Sequence, residues 1–201
     1  MKVLKFEYFD NNNTANKIYS TFNETINTPP FFWSRPYEYQ FILDELLLDL
    51  NDNSSIHNTC WGFEGVHITF KNVLEKHFKN VTNSDIKKSD ILNTIVYDIT
   101  KDNPNLHNKF DYVLNISALE EIQNADHVEL LKNHYNQLKI GGKLLITFDV
   151  HATRGLQLDK VEKFLGQKIK DVEHRLNGSN SKFKNERYSH LNCGKLIIEK
   201  D

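Results

Sequence analysis

Hydrophobic and polar positions divide the 201-residue chain into short apolar runs that alternate with helical-period segments. A strand is expected near Lys2–Phe9, followed by a polar arm through Asn11-Asn12-Asn13 and Thr28-Pro29-Pro30. Phe41, Leu43, Leu46, Leu47 and Leu50 recur at helical spacing, with Asp44, Glu45 and Asp49 on the wet side, and predict a helix from Tyr37 to Leu50. Ser55–Cys60 reads as the first sheet strand. A turn, Trp61-Gly62-Phe63-Glu64-Gly65, leads to a helix over Val66–Phe78. Short strands follow at Val81–Ser84, ending at Asp85, and at Thr94–Tyr97, ending at Asp98. Val113–Asn115 starts the fourth strand and Lys143–Asp149 is the fifth. A helix is expected at Leu158–Leu165 and a terminal strand at Gly194–Glu199, beyond a polar stretch at Asn177–Asn185. Strands alternating with helices predict an α/β fold, a Rossmann-like, doubly wound, mostly parallel sheet. The late strand after a long polar loop fits an antiparallel edge strand.

Phe110–Val150 is the most informative stretch. Phe110-Asp111-Tyr112-Val113-Leu114 is an apolar strand that ends in Asn115-Ile116-Ser117. A helix, a turn at Gly141-Gly142 and a second apolar strand, Lys143–Asp149, follow. This βαβ unit delivers polar groups to the carboxyl edge of a parallel sheet, where open α/β sheets bind ligands. After the first strand, Gly62 and Gly65 permit close backbone approach of a ligand. Asp85 lies twenty residues beyond Gly65 at the end of the next strand, the place from which an acid hydrogen-bonds ribose hydroxyls in dinucleotide folds. The competing reading of Asp85 is a helix cap or a surface acid.

Charge and composition narrow the partners. The net charge of −2 and pI near 6.5 leave no basic footprint for nucleic acid. The mean hydropathy is −0.57, and no run approaches the roughly 18 apolar residues of a membrane span. Acids within the first ten residues argue against a secretory leader. Cys60 and Cys193 are far apart and form no CxxC pair, as expected of reduced cytoplasmic thiols. One domain is expected, with residues 1–50 forming an N-terminal arm and a helix that covers the cofactor, and residues 55–201 the Rossmann-like core.

The wording of Phe110–Ile122 and Leu138–Val150 resembles the second half of class I S-adenosylmethionine (SAM)-dependent methyltransferases, whose phrases are "FDxVxxxxxLEH" and "LKPGGxLxI". Glu121 stands where many members carry His, and Ile140 where many carry Pro. The family's acidic "DxGxGxG" is replaced by His57-Asn58-Thr59-Cys60-Trp61-Gly62-Phe63-Glu64-Gly65. That wording, with Trp33-Ser34-Arg35-Pro36-Tyr37-Glu38-Tyr39 upstream, is similar to methyltransferase domains that occur beside glycosyltransferase modules, including those of large DNA viruses. The resemblance implies SAM as cofactor, with S-adenosylhomocysteine (SAH) as product. It implies a sugar hydroxyl of a glycan or nucleotide sugar as acceptor, a possible glycosyltransferase partner, and the cytoplasm, or a host's cytoplasm, as location. It also implies residue roles. The turn Gly62, Phe63, Glu64 and Gly65 would approach the cofactor, Asp85 the ribose, and Asp98 the adenine amino group with Ile99 on the ring. Asn115, Ile116 and Ser117 would face the methionine part, with Arg35 on its carboxylate and Glu38 on its amino group. Two plainer readings stand beside these, an Asp-x-Thr turn cap at Asp98 and an Arg35–Glu38 pair that pins the arm.

Methyl transfer to an alcohol needs alignment and a group to take the hydroxyl proton. Asp149 and His151, just past the fifth strand, and Glu120, past the fourth, are the candidates, with His57 next in line. Asp149 and His151 share one face of an extended segment, as a His–carboxylate pair or as two metal ligands; no full metal site is expected. Three rival functions use the same elements: a methyltransferase with another small-molecule or protein acceptor, a non-catalytic Rossmann-like domain, and a nicotinamide-dependent reductase.

Overall fold

The computed structural model describes residues 1–9, 35–48, 51–62, 66–88, 90, 91, 94–122, 124–150, 155–170 and 192–201. Seven strands form one sheet: β1 (Lys2–Tyr8), β2 (Ser55–Thr59), β3 (Asn80–Asp85), β4 (Thr94–Val96), β5 (Phe110–Ile116), β6 (Leu138–Val150) and β7 (Asn192–Glu199). The helices are α1 (Arg35–Leu48), α2 (Val66–His77), α3 (His127–Gln137) and α4 (Leu158–Leu165), with 3-10 turns at Pro104–Leu106 and Leu119–Glu121.

The strand order is β1-β7-β6-β5-β2-β3-β4. β2 pairs in parallel with both β3 and β5, and β5 with β6. β7 runs antiparallel between β6 and β1. The doubly wound, mostly parallel sheet is therefore as expected, and the N-terminal segment closes the sheet beside β7. From β2 the chain moves outward through β3 and β4, then returns to the other side of β2 as β5. The crevice between β2 and β5 is thus the point where the strand order reverses, at the carboxyl ends of both strands.

Helices cover both faces. On one face, Tyr39, Ile42, Leu43 and Leu46 of α1 and Phe70, Val73 and Leu74 of α2 pack on Ile56, Leu114, Leu145 and Ile197. On the other, Leu130 and Leu131 of α3 and Val161 of α4 pack on Val113, Leu144, Ile146 and Leu196. β5, β6 and β7 therefore carry apolar side chains on both sides and read as hydrophobic runs, whereas β2 and β3 bury His57, Asn58, Thr59, Asn83 and Ser84. β5 and β6 are longer than expected because the sheet continues past Gly141-Gly142 through a register shift opposite Phe110 and Tyr112. Both glycines are required there. Gly141 has φ +77°, and a Cβ on Gly142 would sit 2.9 Å from the Lys139 carbonyl oxygen and 3.0 Å from that of Phe110. Asp126 caps α3 by accepting from the Val128 N–H. Among the described residues, no helix is long and apolar enough to cross a membrane.

Candidate functional site

The ends of β2 and β5 carry two residues in the left-handed region, Cys60 (φ 52°) and Ser117 (φ 43°). Non-glycine residues rarely adopt this conformation, and where they do the chain is held in a sharp turn by its surroundings. Beside these turns lies one small, half-open pocket lined by Tyr39, Asn58, Thr59, Cys60, Trp61, Phe70 and Ile116. Tyr39 of α1 stacks on Phe70 of α2 with ring centroids 4.3 Å apart, so the pocket has an aromatic wall supplied by two helices and a polar floor supplied by β2.

Asp85, at the end of β3, and Asp98, just past β4, lie close enough to Cys60 for their charges to act on its thiol. The Cys60 thiol is pushed up to about 12 by burial and by these two carboxylates. Asp85 accepts from the Gly62 N–H at 3.4 Å and from the Lys87 N–H at 3.1 Å. Its neighbour Ile86 leaves an apolar side chain 62% exposed. Asp98 accepts from the N–H (3.0 Å) and hydroxyl (2.6 Å) of Thr100, which holds its carboxyl below the ordinary value. The turn cap is thus formed, while Asp98 Oδ2 lies 3.4 Å from Lys101. Ile99 is buried in the core beside α3 and not at the pocket. Strand alternation separates Asn115 from Ile116. Ile116 lines the pocket, whereas Asn115 turns to the α3 side, where it hydrogen-bonds Thr59, His134 and the Leu119 N–H.

A second group of polar side chains adjoins the pocket at the ends of β5, β6 and β7. Glu38, fully buried, accepts from Arg35 at 2.7 Å, from Thr147 Oγ1 at 2.7 Å and from the Ser117 hydroxyl. The Cys193 thiol lies 3.6 Å from the same carboxylate. The pairing of Arg35 with Glu38 is therefore formed, and it anchors α1 to three strands. Burial alone would lower the Arg35 pKa, but Glu38, Tyr39, Asp149 and Glu120 outweigh it and keep the guanidinium charged. Glu120 is buried in the turn after β5. Its Oε1 accepts from the Asp149 N–H at 2.7 Å, and no hydrogen-bond donor reaches Oε2 among the described residues. Burial, then the Asp149 carboxylate, raises the Glu120 pKa well above the ordinary carboxylate value. The structure thus brings Arg35, Glu38, Ser117, Glu120 and Asp149 together, and chain neighbours link this cluster to the pocket: Glu38 to Tyr39, and Ser117 to Ile116.

Phe63, Glu64, Gly65 and His151 lie outside the described residues. Among those described, no group of three His, Cys, Asp or Glu side chains is arranged to hold a metal ion. His57 sits inside the sheet and faces Gln137 and Ser84. It is fully buried within β2, its Nδ1 2.6 Å from Gln137 Oε1 and its Nε2 2.8 Å from Ser84 Oγ. Burial lowers its pKa to about 4. Sequence reasoning missed the Tyr39–Phe70 wall and the Thr147 hydroxyl. The position of Thr147 near the end of the fifth strand was a usable signal; the stacking of two aromatics from separate helices left none.

The sequence matches no family model and no curated protein. Solved structures do match. The N-methyltransferase NodS of Bradyrhizobium japonicum WM9, in complex with SAH, aligns with a TM-score of 0.53 at 15% identity over 94% of this chain and 99% of that one. The trans-methyltransferase CalH, also with SAH, aligns at 0.55 and 14% identity over 79% of this chain and 55% of that one. The [4+2]-cyclase SpnF aligns at 0.55 and 11% identity over 98% and 88%. The chain therefore has the class I methyltransferase fold.

Proposed function

We propose that the protein is a SAM-dependent methyltransferase, and that its acceptor is a hydroxyl of a sugar in a glycan or nucleotide sugar. The observation that carries this reading is the juxtaposition at the sheet switch point: an aromatic-walled pocket beside a buried carboxyl cluster. A nucleoside would be held by residues around the pocket. Gly62 and Asp85 offer an N–H and a carboxylate for a ribose, the exposed Ile86 offers an apolar surface for a flat ring, and Asp98 can accept from an exocyclic amine. Phe63, Glu64 and Gly65, outside the described residues, are kept as cofactor candidates on the sequence resemblance alone. Ile116 and Ser117 would border the methionine part, with Asn115 holding the β5 end in place. Arg35 and Glu38 would fix the roof.

SAM, when bound, supplies an electrophilic methyl group on a sulfonium. The residues of this chain then align an acceptor and take its proton. Glu120 and Asp149 belong to the carboxyl cluster that Glu38 and Ser117 join to the pocket, and one of them would take the hydroxyl proton once the acceptor reaches it; His151 is the further candidate. The sugar acceptor rests on the similarity of the chain to domains found with glycosyltransferases; the net charge of −2 is compatible with a neutral acceptor. A second reading, a use of this fold other than methylation, draws support from the likeness to the cyclase SpnF.

Calorimetric titration with SAH, with NAD as control, tests the cofactor. Micromolar SAH binding and no NAD binding are expected, and Asp85→Ala and Asp98→Ala should weaken SAH while the chain stays folded. Failure of the wild type to bind SAH would sink the methyltransferase reading. A panel of sugars scored by SAH release then tests the acceptor, with Asp149→Ala or His151→Ala lowering turnover far more than SAH affinity.

A further inference from the structure

Behind the pocket runs a circuit of polar side chains, buried except for the partly exposed Glu75, that the proposed chemistry does not use. Asn58 of β2, whose side chain lines the pocket, donates to Asn83 Oδ1 on β3 at 3.0 Å. Asn83 donates to Glu75 Oε1 on α2 at 2.8 Å. Lys71, one turn earlier on α2, reaches Glu75 Oε2 at 2.6 Å. The Lys71 ammonium also lies 5.7 Å from the ring centroid of Trp61, and Trp61 is again a pocket residue. The circuit leaves the pocket at Asn58 and returns to it at Trp61. Asn83 is fully buried, Lys71 is 3% exposed and Trp61 4%. An ammonium in such a place costs desolvation energy that an apolar side chain would not, so its retention needs a reason in specificity more than in stability.

We infer that Lys71 is a positioning residue of the cofactor pocket: it holds the Trp61 ring in place as the wall that replaces the missing glycines of the turn after β2. The inference rests on the SAM reading of the pocket. A Gly-rich turn shapes its pocket with backbone alone. Here Cys60 and Trp61 occupy that turn, and a large ring beside a ligand must be kept in one rotamer to leave the cavity open. A desolvated ammonium on its face supplies a directional restraint. Glu75, Asn83 and Asn58 fix the ammonium in turn, and tie the restraint to the pocket floor.

The test uses the full chain in a Trp33→Phe background, so that emission reports Trp61 alone, and SAH as the probe ligand. Lys71→Met keeps the aliphatic stem and removes the charge; Lys71→Arg restores a cation. Lys71→Met should weaken SAH by about tenfold or more, as expected for loss of a desolvated cation–π restraint, and should shift Trp61 emission. Lys71→Arg should recover both. Glu75→Gln should move both readouts the same way by less, and serves if Lys71→Met fails to fold by circular dichroism. A folded Lys71→Met with wild-type SAH affinity overturns the inference. So does weakened SAH with unchanged Trp61 emission, because Lys71 would then act on the ligand itself. If the wild type binds no SAH, the cofactor reading fails, and emission still decides whether Lys71 holds Trp61.

Discussion

Acid should unfold this protein through two histidines that the fold keeps neutral. His57 and His134 are both fully buried and each sits in a hydrogen-bond chain that requires the uncharged ring. His57 donates from Nδ1 to Gln137 and accepts at Nε2 from Ser84; Gln137 donates onward to Tyr97, and Tyr97 to the Lys101 carbonyl. His134 donates from Nδ1 to the Leu130 carbonyl and accepts at Nε2 from Asn115. Burial lowers each pKa from 6.5 to about 4. Between those values the unfolded chain binds protons that the folded chain refuses, so stability is full above pH 6.5 and falls as pH drops toward 4. At pH 5 the difference is worth about 2 kcal/mol per ring, or about 4 kcal/mol together, a large share of the roughly 5–15 kcal/mol of a typical domain. His127, lowered by burial, acts in the same direction, and the raised Glu120 opposes it. Urea denaturation at intervals from pH 7.5 to 4.5 measures the slope, and the variants His57→Gln and His134→Gln isolate each ring. Each variant should lose about 1.4 kcal/mol of slope per pH unit around pH 5.5, corresponding to one proton. Variants that keep the wild-type slope would refute the argument, since the rings would then be charged or solvated in the folded state.

Three further outcomes follow from the same geometry. Glu38→Ala should cost about 3–5 kcal/mol in urea denaturation, because it leaves the Arg35 guanidinium buried without its partner and strands the Ser117 and Thr147 hydroxyls; a loss below 1 kcal/mol would show that α1 is anchored elsewhere. Gly194→Ala should destabilise by about 1–3 kcal/mol, since the new Cβ would enter the space of the buried Phe148 ring, and thermal melts read it directly. Glu120→Gln should be no less stable than wild type at pH 7–8 while turnover falls. A carboxyl whose folded pKa is raised makes the chain less stable as pH climbs through that raised range, and the amide removes the dependence. A stability–pH curve parallel to wild type would contradict it.

The alternation of strands and helices, and the mostly parallel sheet, were determined by the sequence alone, because β5, β6 and β7 are apolar runs and the helices between strands keep a 3.6-residue period. Some strand ends were legible for the same reason: Asp98 directly follows Ile95-Val96-Tyr97, and Asn115-Ile116-Ser117 closes the run through Val113-Leu114, whereas Asp85 follows the largely polar Thr82-Asn83-Ser84. Element lengths were less so. β6 runs through Gly141-Gly142, where the composition reads as a turn, because a neighbouring strand accommodates the extra residues. What only the tertiary structure decided is which polar groups meet. Glu38 and Thr147 are 109 residues apart yet hydrogen-bonded, and Lys71 reaches Trp61 only because α2 folds back over β2. The direction of a side chain at a strand end was equally hidden: the pleat sends Ile116 to the pocket and Asn115 to the core, and no single-residue property distinguishes the two. Period and polarity are local quantities and survive in the sequence; partner choice depends on the register of strands and the docking of helices, which only the folded chain fixes.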